Sequence, residues 1–201
     1  MDKIVEYGQK VYQKLKYSNF PVISAPSGMA LGGGCELLLH SNFVQAHVES
    51  YIGLTEAALG ICPAWGGCKE LLSRFGHNKN IPNGPMPAIM KAFQTIGLAK
   101  TSTSAPEARE IGFLRSEDGI TMNKDRLLHD AKLVAINLIE TYVKPEKLTY
   151  RLPGKTAFAA LELGLKGMIN NGQISEHDKL IGHQIATILS GGETDMLNEV
   201  D

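Results

Sequence analysis

The chain has 201 residues, of which 43% are hydrophobic, and its 20 Lys and Arg residues nearly balance its 21 Asp and Glu residues. This length is typical of one domain, and the balanced charge gives no support for a nucleic-acid partner. The first residues mix charged and apolar side chains, and no stretch approaches the roughly 20 apolar residues of a membrane helix, so we expect a cytoplasmic protein without a membrane span.

Helical and extended patterns alternate in the first half of the chain, where a glycine turn joins a buried strand to a helix. The predicted elements are a helix at 4–17, a strand at 21–25, a glycine turn at 32–34, a helix at 35–40, a strand at 43–48, an extended piece at 51–54 and a helical turn at 55–59.

The rest of the chain is predicted to be mostly helical. A helix follows the loop at 63–67 and continues through Arg74, and further helices are predicted at 85–99, 105–111, 124–143, 155–169 and 175–189. Ser175 with Asp178 forms a capping signature for the last of these helices, and Gly191-Gly192 provides its end. The helix at 124–143 has an apolar stripe that we predict to be core. Its members are Leu127, Leu128, Ala131, Val134, Ala135, Leu138, Ile139 and Tyr142.

Neither the cysteines nor the histidines have the spacing of a metal site. The three cysteines form an odd set without a C-x-x-C pair, and the six histidines show no H-E-x-x-H pattern. We therefore predict no metal and no disulfide framework, and we interpret the cysteines as free thiols in a reducing compartment.

The glycine turn is the first candidate site. Its spacing is not G-x-G-x-x-G and no G-K-[ST] follows, so neither NAD binding nor hydrolysis of a nucleoside triphosphate is indicated. A helix that begins at these glycines leaves the N–H groups of Gly33 and Gly34 available to an oxygen that develops negative charge. Glu36, in the first helical turn, could act as a base there, or could simply be a favourable first-turn acid.

Two segments around this turn carry a family resemblance. FPVISAPSGMALGGGCEL at residues 20–37 closely resembles the signature of the crotonase (enoyl-CoA hydratase) superfamily. YIGLTEAALGICPAWGG at residues 51–67 resembles the second signature of that family, with Glu56 at its acidic position. The resemblance implies an α/β fold, here a partial crotonase-like β-β-α spiral with a mostly helical C-terminal half.

The same resemblance implies an acyl-CoA thioester substrate and no separate cofactor, because coenzyme A is part of the substrate. Gly33 matches an oxyanion donor, and Glu36 and Glu56 match the base and acid that add water to a trans-2-enoyl-CoA. Addition of water requires one group that takes a proton and one that gives it, so the pair favours a hydratase over an isomerase.

Further substrate contacts are expected near these residues. We group Gly32, Met29, Thr55 and Ala64 with Gly33 as oxyanion or substrate-binding positions, and Ala64 stands where the family usually has glycine. Met29, Leu54 and Trp65 could line an acyl pocket, although methionine and tryptophan are also common core residues.

Over nearly its whole length the chain resembles the hydratase part of bacterial fused 3-hydroxyacyl-CoA dehydrogenase/enoyl-CoA hydratase proteins of fatty-acid β-oxidation. The segments AKTSTSAPEARE and ITMNKDRLL carry this likeness. We therefore expect residues 1–84 to hold the core with both signatures and residues 85–201 to form a helical region of the same domain. The alternatives left open are a non-catalytic crotonase-fold remnant or assembly subunit, and an enoyl-CoA isomerase.

In that family a second oxyanion donor and an adenine-contacting segment lie upstream of the helix at 4–17. Strands from that upstream part would normally pair with the strand at 21–25. Without them we expect this strand to expose an apolar sheet edge. We therefore expect the chain to form a homo-oligomer or to depend on a companion chain that supplies the missing strands.

Overall fold

Short strands and helices alternate up to residue 59, and helices dominate the rest of the chain. The computed structural model of the protein describes residues 2–194 and 199–200. The helices are α1 (Asp2–Lys16), α2 (Gly33–Leu39), α3 (Gly67–Gly76), α4 (Pro85–Gly97), α5 (Ala105–Ile111), α6 (Leu127–Ile139), α7 (Lys155–Asn170) and α8 (Glu176–Ser190). The strands are β1 (Ile23–Ser24), β2 (Met29–Leu31), β3 (Phe43–His47), β4 (Tyr51–Gly53), β5 (Gly119–Thr121), β6 (Tyr150–Arg151) and β7 (Glu199–Val200).

The chain divides into two compact units that interleave along the sequence. The first unit contains Met1–Leu54, Ala64–Gly67 and Thr101–Lys147. The second contains Thr55–Pro63, Cys68–Lys100 and Leu148–Asp201.

The first unit is built on parallel strand pairs. Strands β1, β3 and β5 form one parallel sheet in that order, and β2 pairs in parallel with β4. Parallel strands that are buried on both faces favour continuous apolar side chains, and Val44, Ala46 and Ile52 are fully buried here. The predicted α/β fold class is therefore confirmed.

Helix α6 covers the sheet by contacting β1 and β3, but only part of its apolar stripe is buried. Leu127 and Ala131 are buried, whereas Leu128 is 78% exposed and Ile139 is 64% exposed. The prediction that the whole stripe is core is therefore wrong at Leu128 and Ile139. Only one side of the helix is buried, so an apolar face that spans a wide arc leaves its flanks in solvent.

The second unit is helical, with α4, α7 and α8 in mutual contact and the turn at Glu56–Leu59 in contact with α4 and α8. Its core contains Ile89, Leu161 and Ile185. The capping prediction for α8 is confirmed, because the Ser175 side chain and Asp178 form a reciprocal capping box and Gly191 ends the helix in a left-handed conformation.

The pattern-based helices are confirmed with small changes at their ends, and α5 has the predicted bounds. The predicted helix at 124–143 instead begins with a 3₁₀ turn, Lys124–Arg126, and its α-helical part ends at Ile139. Strands β2 and β5 were not predicted. Among the described residues, no helix combines the length and apolar composition that crossing a bilayer requires.

Candidate functional site

The glycine turn places the start of α2 against β4 in the first unit. Gly32 has a positive φ of 53°, which glycine adopts without strain, and its N–H donates to the carbonyl of Gly53 at 2.9 Å. The N–H of Glu36 donates to the Gly32 carbonyl and closes the first helical turn. As the first residues of α2, Gly33 and Gly34 have no carbonyl one turn earlier in the helix for their N–H groups.

The Glu36 carboxylate is held by the loop at residues 64–67 of the same unit. Glu36 is 2% exposed, and its Oε1 accepts hydrogen bonds from the backbone N–H of Trp65 at 2.9 Å and of Gly67 at 2.8 Å. A Cβ at Gly67 would lie 3.0 Å from this Oε1, so glycine allows the close approach. Two N–H donors stabilise negative charge on a buried carboxyl group.

Tyr12, His40 and Trp65 form an aromatic cluster that contacts the start of α2. The Tyr12 ring lies 5.4 Å from each of the other two rings, and its hydroxyl donates to the carbonyl of Gly33 at 3.0 Å. Burial, and secondarily the negative charge of Glu36, raises the pKa of Tyr12, so its hydroxyl remains a donor at neutral pH. Helix α1 thereby fixes the peptide between Gly33 and Gly34.

Glu56, in the second unit, has a different environment. It begins the 3₁₀ turn Glu56–Leu59 and is 8% exposed, and its Oε2 is buried without a hydrogen-bond partner among the described residues. Burial raises the pKa of Glu56, and the backbone N–H groups of Glu56 and Thr55 offset this only in part. This carboxyl group therefore keeps its proton to higher pH than an exposed glutamate does.

Cys62 lies close enough to Glu56 to respond to its charge. Burial and the Glu56 carboxylate raise the pKa of the Cys62 thiol, so it is a neutral neighbour of the acid. Its Sγ lies 3.8 Å from the carbonyl of Ile181.

The predicted site residues are distributed over both units. Gly32, Gly33, Glu36 and Ala64 belong to the first unit, and Met29 is there too, with 79% of its surface exposed on β2. The Ala64 carbonyl accepts from Gln9 Nε2 at 2.8 Å.

Thr55 and Glu56 belong to the second unit, where half-buried Thr55 precedes the 3₁₀ turn. The roles assigned to all these residues stay predictions.

Sequence reasoning missed the contributions of Tyr12, Gly67 and Cys62. Tyr12 lies within the predicted helix at 4–17, and nothing in its local pattern indicates a bond to a glycine 21 residues later. Gly67 and Cys62 lie inside the second signature, and that position is the only sequence signal for them.

Comparison with known proteins identifies the family that the chain resembles. The family described as enoyl-CoA hydratase/isomerase matches residues 2–81, which include both signatures. A crystal structure of an enoyl-CoA hydratase from Bacillus anthracis aligns with a TM-score of 0.56 and 25% identity, over 94% of this chain and 60% of that one.

Two curated relatives are longer proteins. A Bacillus subtilis protein named as a probable 3-hydroxyacyl-CoA dehydrogenase is 43% identical over all of this chain and 25% of its own length. A Rickettsia prowazekii protein named as a candidate trifunctional enzyme of the fatty acid oxidation complex is 34% identical over 68% of this chain and 18% of its own length. The chain thus spans about a quarter or less of these relatives.

The resemblance to the crotonase superfamily that the sequence predicts is confirmed by the family match and by the fold. Within that superfamily, the segment at residues 2–81 belongs to the enoyl-CoA hydratase/isomerase family.

Proposed function

We propose that this chain is an enoyl-CoA hydratase-type lyase, which adds water to a trans-2-enoyl-CoA to give a 3-hydroxyacyl-CoA in fatty-acid β-oxidation. We further propose that it works as part of a fused hydratase and dehydrogenase. The observation that carries the proposal is the contrast between its two buried glutamates. One carboxylate accepts two N–H donors, and the other carboxyl group has a raised pKa.

Each glutamate suits one half of the reaction. Glu36, ionised, takes a proton from water as the oxygen bonds to the β-carbon. Glu56, protonated, gives its proton to the α-carbon, so the elements of water are added and the two residues exchange protonation states.

The thioester oxygen becomes more negative during this addition and needs a hydrogen-bond donor. We propose the N–H of Gly33 for that role, with Gly32 shaping the turn that presents it. Met29, Thr55 and Ala64 are proposed as substrate contacts on the strength of the family resemblance.

The test is to incubate the chain with crotonyl-CoA and to identify the products by mass spectrometry and chromatography. We expect slow formation of 3-hydroxybutyryl-CoA, and we expect Glu36→Gln and Glu56→Gln each to lower the rate about 100- to 10,000-fold. Glu49→Gln, which removes an exposed charge from the first unit, is the matched control and should be silent.

Three outcomes would contradict the proposal in different ways. Turnover that is indifferent to both substitutions would place the chemistry elsewhere. With a 3-enoyl-CoA substrate, a 2-enoyl-CoA product would indicate an isomerase. Failure to bind any acyl-CoA, together with absence of product, would favour a non-catalytic remnant or assembly subunit.

We also propose that the chain associates with further copies of itself or with a companion chain. Strand β1 ends the β1-β3-β5 sheet, and among the described residues no strand pairs with its other edge. Exposed strand edges are templates for pairing with another chain. Light scattering should give a mass above the 21.8 kDa of one chain, and a monodisperse monomer would contradict the proposal.

A further inference from the structure

His40 is a buried histidine one helical turn after Glu36, at the end of α2. It is 2% exposed, and its Nδ1 lies 2.7 Å from the carbonyl oxygen of Glu36. A carbonyl oxygen can only accept a hydrogen bond, so Nδ1 carries the hydrogen and donates it. The backbone N–H of His40 donates to the same carbonyl at 3.2 Å, and these two bonds fix the direction of the imidazole ring.

The opposite edge of this ring lies against the loop at residues 64–67. A Cβ at Gly66 would lie 2.9 Å from both Cε1 and Nε2 of His40, and Gly66 has a φ of 105°. Glycine is therefore needed at this position both for its conformation and for the space that the ring occupies. The imidazole and the backbone of Gly66 are thus in direct contact.

This contact falls between the two groups that hold the Glu36 carboxylate. Gly66 separates Trp65 from Gly67, whose N–H groups donate to Glu36 Oε1 at 2.9 and 2.8 Å. Hydrogen bonds of this length weaken when the donor moves away or turns. The ring against Gly66 therefore limits how far both donors can move from the carboxylate.

Tyr12 confines the ring from another side. The Tyr12 and His40 ring centroids are 5.4 Å apart, with an angle of 53° between the ring planes. The Tyr12 hydroxyl is in turn bonded to the carbonyl of Gly33. In a closely packed cluster of this kind, a smaller side chain at position 40 leaves a space into which the neighbouring loop can move.

We propose that His40 is a positioning residue for Glu36, whose ring holds the loop at residues 64–67 so that the N–H groups of Trp65 and Gly67 stay on Glu36 Oε1. The inference rests on the proposed function, in which Glu36 takes a proton from water. His40 acts through the two backbone donors and does not touch the substrate. When those donors move away, the carboxylate loses its fixed direction and is protonated more easily.

The experiment measures the hydration of crotonyl-CoA by the full chain between pH 4 and pH 9. His40→Ala removes the ring. We expect kcat to fall about 10- to 100-fold and KM to change less than about threefold, because the reacting geometry changes and substrate binding does not. The acidic limb of the rate profile should move to higher pH by about one unit. A merely structural role would lower the yield of folded protein without moving this limb.

Two further substitutions separate the contact with Gly66 from the bond to the Glu36 carbonyl. The amide of His40→Gln reaches the region where Nε2 lies, whereas the amide of His40→Asn reaches only the region of Nδ1. We expect His40→Gln to keep most of kcat and the original acidic limb, and His40→Asn to behave like His40→Ala. None of the three variants has an imidazole that titrates, so differences among them do not come from the loss of that group. His129→Ala, at an exposed histidine of the same unit, is the matched control and should be silent.

Two results would overturn the inference and leave the hydratase proposal standing. One is recovery of the rate with His40→Asn but not with His40→Gln, because the bond to the Glu36 carbonyl would then be the contact that matters. The other is a wild-type kcat and acidic limb in His40→Ala, or in His40→Asn if His40→Ala does not fold.

A measurement without turnover separates the inference from the proposed function. If the wild type does not hydrate crotonyl-CoA, the proposed function fails, and carboxyl ¹³C NMR of the glutamate-labelled chain then decides the positioning role. The Glu36 signal, assigned with Glu36→Gln, should titrate at higher pH in His40→Asn than in the wild type. Titration at the same pH in both proteins would overturn the inference.

Discussion

Glu36 and Glu56 are both nearly inaccessible to solvent, yet their surroundings differ. In the first unit, a loop directs two backbone N–H groups at Glu36. In the second unit, Glu56 has an oxygen that is buried without a partner among the described residues. Burial alone therefore does not determine the environment of a carboxyl group, because hydrogen-bond donors and nearby charges act together with it. The comparison predicts that removing the two carboxyl groups has opposite effects on stability.

The largest effect on stability is expected at Glu36. Glu36→Met leaves the N–H groups of Trp65 and Gly67 without their acceptor, and we expect the free energy of unfolding to fall by roughly 2–4 kcal/mol. Urea unfolding followed by far-UV circular dichroism measures this loss. Glu36→Gln is the matched control, because it keeps an oxygen acceptor for both donors and should cost clearly less. Equal losses for Met and Gln would show that the two hydrogen bonds do not hold the loop.

At Glu56 we expect a smaller effect of opposite sign. Glu56→Met removes a buried, unpaired oxygen, so the free energy of unfolding at neutral pH should rise by roughly 1–2 kcal/mol. The gain should depend on pH. Because the folded state has the raised pKa, the unfolded chain loses this proton first as pH increases, and the wild type loses stability above the ordinary pKa of glutamate.

Unfolding of both proteins between pH 4 and pH 8 tests this dependence. The advantage of Glu56→Met should be small at pH 4 and should increase toward pH 8. A difference that stays constant with pH would mean that the proton on Glu56 is held equally well in the unfolded chain. A destabilised variant would mean that the carboxyl group makes favourable contacts.

The helices were predictable from sequence because their signals are local. Periodicity and capping residues placed α5 and α8 within a residue or two of their bounds. Strands β2 and β5 were missed because three residues are too few to show an alternation, and each strand is fixed by a partner more than 20 residues away. The apolar stripe of α6 was misjudged at Leu128 and Ile139, because sequence shows how wide an apolar face is but not how much of it a sheet covers.

For the candidate site, sequence could nominate the residues but not their environments. Two signatures pointed to Glu36 and Glu56, yet nothing local distinguishes a carboxylate with two donors from a carboxyl group with an unpaired oxygen. Those differences come from a loop 29 to 31 residues beyond Glu36 and from the burial of Glu56 in a helical unit. These environments depend on tertiary structure, which local sequence patterns do not reveal.

The smallest effect on stability is expected for Tyr12, which contacts the start of α2. Tyr12→Phe keeps the ring contacts with His40 and Trp65 but loses the hydrogen bond to the Gly33 carbonyl, so unfolding should become easier by about 1 kcal/mol. Tyr7→Phe, on an exposed residue of the same helix, is the matched control and should change nothing measurable.

Combining Tyr12→Phe with each glutamate substitution extends this test. Tyr12 and Glu36 both hold the first turn of α2, so their substitutions should be non-additive by at least about 0.5 kcal/mol. Tyr12 and Glu56 share no partner among the described residues, so those substitutions should add. Additivity in both pairs would mean that the tyrosine hydroxyl and the Glu36 carboxylate stabilise the turn independently. The contrast between Glu36 and Glu56 would then depend only on the groups that contact each carboxyl group directly.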